Sequence, residues 1–204
     1  MSNEWGNGMK KAIVLLHEIY GVNAHIEYYT NEFIALGYDV YCPNLLQLEQ
    51  PFPYEKEQQA YAHFMNDIGF EQSFAQVQNL ILELKYTYKE IHLVGFSIGA
   101  TIAWLCSELT GVTSVVGYYG SRIRNYLDIN PACSVLLIYG QSEQSFDVAS
   151  LVENLINKNI QVQTYDGHHG FADPYSFHYN QQSSAQAFSQ VKEFLAGNNV
   201  TFQW

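Results

Sequence analysis

Short apolar runs recur along this chain with longer helix-forming stretches between them, and that rhythm limits the fold more than any other feature. The runs cover residues 12–16, 40–42, 91–94, 114–119, 135–139 and 162–165. Their apolar character is largely continuous, as strands buried on both faces require, whereas a strand with one wet face alternates. Helices are expected over 25–36, 69–86, 98–109, 147–157 and 183–195. In the second of these, Phe70, Phe74, Val77, Ile81 and Leu84 recur at three- and four-residue spacing, which gives one core-facing stripe. The pattern predicts an α/β fold, a mostly parallel sheet with helices on both faces.

A chain of 204 residues suits one domain spanning 1–204, large enough to bury about 70 per cent of the surface of its extended form. Nine Lys and Arg oppose twenty Asp and Glu, for a formal charge of −11, and no basic run exceeds Lys10-Lys11. Nucleic acid and anionic membrane surfaces are therefore poor partners. Residues 1–6 lack a basic region followed by an apolar stretch, and no apolar run approaches the ~18 residues a membrane span needs. A cytoplasmic protein is the expectation. Cys42, Cys106 and Cys133 are odd in number, far apart and set in apolar segments, which reads as three reduced structural thiols.

The chemistry is carried by Gly95-Phe96-Ser97-Ile98-Gly99, which leaves the run at 91–94 and opens the helix-forming stretch at 98. In that context the pentapeptide reads as a nucleophile elbow, a strand-to-helix turn so tight that only glycine fits at its flanks. Outside it, the same five letters are only a turn whose serine caps a helix.

An elbow serine needs an acid and a histidine placed after later strands, in that chain order. Glu143 lies just past Gly140, the turn glycine that ends the run at 135–139, and is the leading acid. Asp147 is its competitor, although a carboxylate at that position more naturally starts the next helix. After the run at 162–165 comes Asp166-Gly167-His168-His169-Gly170, a glycine-rich loop from which one histidine of the pair can serve as base. His168, His169, Asp173 and His178 crowd together, but their spacing matches no standard zinc pattern, and no metal or cofactor is expected. His17 and His92 read as satisfied core groups, His25 and His63 as residues of solvated helix faces, and Arg122 and Arg124 as a solvated loop pair, with the pocket mouth as the alternative. Residues 45–65 are rich in Gln, Glu, Pro and aromatics, with Pro51 and Pro53 breaking any long helix. A loop or short-helix excursion beside the site is expected there.

With these pieces placed, the chain resembles the dienelactone hydrolase family of the α/β-hydrolase fold. The shared features are His17-Glu18-Ile19-Tyr20-Gly21 after the first strand, the elbow at Ser97, Gly117-Tyr118-Tyr119-Gly120, the acid after Gly140, and His169-Gly170-Phe171. The resemblance implies Ser97 as nucleophile, Glu143 as acid, His169 as base and the amides of Ile19 and Ile98 as oxyanion hole. It also places Glu18 and Tyr119 at the substrate pocket. Three departures stand out: serine replaces the family's usual cysteine, Glu143 its usual aspartate, and Asp173 stands where dienelactone-cleaving members carry an arginine. With the chain's acidic balance, dienelactone itself is a poor candidate.

The expected activity is serine-dependent cleavage of a small, neutral or weakly charged ester, lactone or thioester without a cofactor. Acyl transfer to another acceptor stays open, as does oligomeric state. The rival reading is a catalytically silent protein that uses the hydrolase scaffold to bind a small ligand.

Overall fold

Each apolar run becomes a strand, and all the strands point the same way. A computed structural model describes residues 10–143, 146–155 and 160–197. Among these residues, strands β1 (Lys11–Leu16), β2 (Asp39–Tyr41), β3 (Glu90–Phe96), β4 (Ser114–Tyr118), β5 (Ser134–Gly140) and β6 (Gln161–Tyr165) form one sheet in the order β2-β1-β3-β4-β5-β6. Every neighbouring pair is parallel. Because side chains alternate along a strand, consecutive apolar residues feed two cores. Ile13, Leu15, Phe96, Val116 and Ile138 pack with α1 (Ala24–Ala35) and α6 (Gln181–Leu195) on one face. Val14, Leu16, Leu93, Val115 and Leu137 pack with α3 (Gly69–Leu84) and α4 (Ile98–Leu105) on the other. The family of folds expected from the sequence is the one observed.

Element ends follow local chemistry that the apolar pattern does not encode. Helix α1 begins where the Asn23 side chain accepts the Ile26 amide hydrogen, and it buries Ile26, Tyr29 and Phe33. Helix α6 starts before the expected residue 183 because Asn180 caps it, accepting from the Ser183 amide. Helix α4 stops at Leu105 and tightens into a 3₁₀ turn over Cys106–Glu108, short of the expected end at 109. It is the central helix, buried almost all round, which is why it carries so few polar residues. Helix α5 (Val148–Leu155) leaves Asp147 outside, where its Oδ1 accepts the Ala149 amide hydrogen at 3.1 Å; the expected end at 157 lies outside the described residues.

The 45–65 excursion contains a 3₁₀ turn (Tyr54–Lys56), α2 (Glu57–His63) and a π turn (Phe64–Ile68) that runs into α3 at Gly69, whose φ is 75°. Pro53 sits at the entry to this unit, where a missing N–H does no harm. The three cysteines are free thiols, and burial pushes Cys42 and Cys106 up to about 12 and Cys133 up to about 11. No helix among the described residues is long and apolar enough to cross a membrane.

Candidate active site

The turn after β3 is closed from two sides by backbone. A Cβ on Gly95 would lie 2.2 Å from the carbonyl oxygen of Gly99, and a Cβ on Gly99 would lie 2.2 Å from that of Leu16. Both glycines are therefore dictated by close approach, the second because α4 starts against the end of β1. Between them Ser97 sits at φ 53°, ψ −111°, a conformation that costs a non-glycine residue about 1–3 kcal/mol. Its amide donates to the Tyr118 carbonyl at 2.9 Å, which ties the strained turn to β4.

The loop after β6 is pressed onto the end of β5 in the same manner. A Cβ on Gly140 would meet the Gly167 carbonyl oxygen at 2.5 Å, and the Ser142 amide donates to that oxygen at 3.0 Å. This contact brings together residues far apart in sequence. Nε2 of His169 lies 3.0 Å from Oγ of Ser97, and Nδ1 of His169 lies 3.0 Å from Oε2 of Glu143. The Glu143 side chain is 1% exposed while that of His169 is 40% exposed, so the carboxylate is sealed behind a ring whose edge faces solvent. Burial opposes the charge of His169, but the bond and charge of Glu143, reinforced by Glu18 and Glu57, raise its pKa above the ordinary 6.5. Asp147 takes no part in this chain of contacts among the described residues.

Ile19 and Ile98 both line the cavity beside Ser97, at the exits of β1 and β3 respectively. His17 fixes the first of these segments. Its Nε2 accepts the Leu45 amide hydrogen at 2.9 Å, so Nδ1 carries the proton and donates to the Glu18 carbonyl at 2.6 Å. Burial lowers its pKa to about 4, which keeps that tautomer neutral.

Glu18 lines the cavity yet is only 7% exposed. Burial, then the charge of Asp173, push its carboxyl up to about 7, opposed by His169 and by a bond from Tyr119 Oη to Oε1 at 3.2 Å. Tyr119 itself is fully buried and does not open onto the cavity, contrary to its expected place in the substrate pocket. It acts through its neighbours, with its ring 4.8 Å from that of His169 and its own φ at 43°. It directly follows Tyr118, the last residue of β4 and the partner of Phe96, and its ring packs into the same core as Phe96, Tyr118 and Phe171.

Two further expectations are corrected. His25 is not on a solvated helix face but is completely buried, its ring edge-on to Phe96 at 4.5 Å. It lies four residues before Tyr29, on the core side of α1, and that spacing was the available signal. Arg122 and Arg124 are not a solvated loop pair; both line the cavity, Arg122 bonded to the Tyr61 hydroxyl and Arg124 to the Ser121 carbonyl. His63 is half-buried, bonded to Asp67 at 2.9 Å and to the Leu46 carbonyl at 3.1 Å.

The cavity encloses about 510 Å³. The excursion supplies one wall through Tyr54, Glu57, Tyr61 and Met65, as its composition suggested. Sequence reasoning gave Tyr54 no role, yet its hydroxyl donates to Oδ2 of Asp173 at 2.6 Å across a separation of 119 residues. His168, His169, Asp173 and His178 do not converge on one point: the rings of His168 and His178 lie tilted, 5.3 Å apart between centres, while His169 and Asp173 turn to other partners.

Comparison with known proteins follows the geometry. The profile of the dienelactone hydrolase family matches residues 3–198. The uncharacterised protein YczH of Bacillus subtilis is 39% identical over 90% of this chain and 91% of its own. The carboxymethylenebutenolidase of Pseudomonas putida is 26% identical over 90% of this chain and 84% of its own. Among solved structures, a provisionally assigned dienelactone hydrolase from Klebsiella pneumoniae superposes with a TM-score of 0.79 at 19% identity, covering 94% of this chain and 88% of that one.

Proposed function

The chain belongs to the dienelactone hydrolase family, and from that premise we propose that it hydrolyses a small ester, lactone or thioester through an acyl-serine intermediate. The observation that carries the reading is the unbroken sequence of contacts from Ser97 Oγ to His169 to Glu143, each 3.0 Å long.

Ser97 Oγ attacks the substrate carbonyl carbon while Nε2 of His169 takes its proton. The carbonyl π electrons move to oxygen, where the amides of Ile19 and Ile98 meet them; two fixed dipoles of this kind need no reorganisation, and each is worth about 3 kcal/mol of barrier. Glu143 holds the ring in the tautomer that accepts at Nε2 and stabilises the imidazolium. Collapse of the intermediate breaks the bond to the leaving alkoxide or thiolate, which collects the proton from His169. Water then repeats the cycle on the acyl-serine and releases the acid. Serine suits this arrangement, because a hydroxyl is neutral at rest and needs only the imidazole as base. Glu18 is accordingly free for another task.

Four acids, Glu18, Glu57, Glu143 and Asp173, stand in the cavity wall against Arg122 and Arg124, and the acidic excess disfavours a polyanionic substrate. The test is direct: a fluorophosphonate probe labels Ser97, and wild type but not Ser97→Ala cleaves short-chain phenyl esters. A folded protein that does neither is a ligand-binding protein on a hydrolase scaffold.

A further inference from the structure

Glu18, His25 and Asp173 form a buried polar knot that the acyl-transfer steps leave unused. Nδ1 of His25 lies 3.4 Å from Oε1 of Glu18 and 3.9 Å from Oδ2 of Asp173, and the three sets of acceptor atoms meet within 4.8 Å. The side chains of His25, Glu18 and Asp173 are 0, 9 and 1% exposed respectively. Neither ring nitrogen of His25 has a hydrogen-bond partner, although Nδ1 lies close to both carboxyl groups. Among the described residues no Lys or Arg pairs with either acid. Each acid receives one phenolic hydrogen bond, from Tyr119 and Tyr54 respectively, and nothing stronger from a side chain. Two acids side by side in a desolvated wall are costly without a positive charge between them.

The two acids of the knot border the cavity. Glu18 and Asp173 open onto the cavity that contains Ser97, next to Glu57 and to the rings of Tyr20 and Tyr54, which pack edge to face at 4.6 Å. Carboxylates and aromatic faces are the partners that a protonated amine recruits, since an ammonium brings three N–H donors and a compact charge. Glu18 immediately precedes Ile19, the residue whose amide flanks the expected oxyanion position. The charge of Glu18 also acts on His169, so a cation held there borders the reacting groups.

We propose that this wall is an ammonium subsite and that the preferred substrate is an ester carrying a protonated amine near its scissile carbonyl, as in an ester of an α- or β-amino acid. The proposal rests on the hydrolase reading and deepens it. Burial holds the carboxyls of Glu18 and Asp173 above their ordinary values, and a bound ammonium restores their charged forms.

The experiment compares alanine phenyl ester with phenyl isobutyrate, which differ only by an ammonium in place of a methyl group. The ratio of their kcat/KM values, corrected by the ratio of their spontaneous hydrolysis rates, is expected to exceed about tenfold in wild type and to fall toward unity in Asp173→Asn. Propylammonium is expected to inhibit phenyl isobutyrate cleavage competitively at concentrations at least about tenfold below those of 1-propanol, a readout that needs no variant. A corrected ratio near one together with equal inhibition overturns the proposal. So does a stoichiometric transition metal in the pure protein whose removal by a chelator abolishes activity, because the knot is then a metal site. If neither ester is cleaved, the hydrolase reading fails on its own, and calorimetric titration with propylammonium against 1-propanol still decides the subsite.

Discussion

His169 is held between two opposed influences, and one neighbour decides the outcome. Burial favours the neutral ring, while the Glu143 carboxylate at 3.0 Å favours the charged ring and prevails, so the pKa lies above 6.5. In the proposed mechanism the neutral ring is the base, so kcat/KM is expected to fall as pH drops through that raised value. Glu143→Gln removes the main opposing influence and leaves burial, so the acid limb of the profile moves to lower pH while kcat falls by about 10²–10⁴-fold. Asp147→Ala removes a helix cap, costs about 1 kcal/mol in chemical unfolding, and leaves the limb where it was. The opposite pattern in the pH profiles transfers the orienting role to Asp147. Ser97, Glu143 and His169 were legible because each follows a strand beside a glycine that the turn requires. His25 and Asp173 were not, since their roles arise only when α1 and the loop after β6 pack together, and nothing local in either segment announces a partner 148 residues away.

At the scale of elements, strands were easier to read than helix ends. A strand buried on both faces must be apolar throughout, so its signature is its own composition. A helix end depends instead on one capping side chain or on a change of hydrogen-bond pattern, as at Asn180 before α6 and at Cys106 after α4. The elbow is the exception, because its glycines are fixed by contact between elements. Gly99→Ala drives a methyl group to 2.2 Å from the Leu16 carbonyl oxygen, so β1 and α4 must separate where both amides of the proposed oxyanion hole are positioned. The expected loss is about 3 kcal/mol or more. Gly37 has φ +89° and nothing within 4 Å of an added Cβ, so Gly37→Ala carries only backbone strain, about 1 kcal/mol. Calorimetric melting of both variants separates the two effects: equal losses mean that the contact between β1 and α4 relaxes, and close approach then does not dictate glycine at 99.

Across the whole molecule, buried groups set how stability follows pH. Glu18 holds its proton up to about 7 in the folded chain against an ordinary 4.5 when unfolded, so its ionisation erodes stability as pH rises through that interval and has no further effect above it. His17 and His25, depressed by burial to about 4 and about 3, act in the opposite sense below 6.5 and mask the trend in wild type. The difference between wild type and Glu18→Gln exposes it. In urea unfolding, the variant gains on wild type by up to about 3 kcal/mol between pH 4.5 and pH 8, and a gap that does not change with pH means that Glu18 is compensated in a way the contacts described above do not provide.

Net charge acts over longer distances than any of these contacts. A surface carrying −11 draws cationic esters toward the cavity and repels anionic ones, and salt screens both effects as the Debye length shrinks from about 30 Å at 0.01 M to about 3 Å at 1 M. Over that range kcat/KM is expected to fall severalfold for a cationic ester, to stay flat for its neutral isostere and to rise for an anionic one. The local subsite and the global field then come apart in one variant. Asp173→Asn removes one charge of many, so it lowers kcat/KM for the cationic ester at every salt concentration but leaves the slope nearly intact. A slope that vanishes with Asp173 assigns the steering to the cavity wall instead of the surface as a whole.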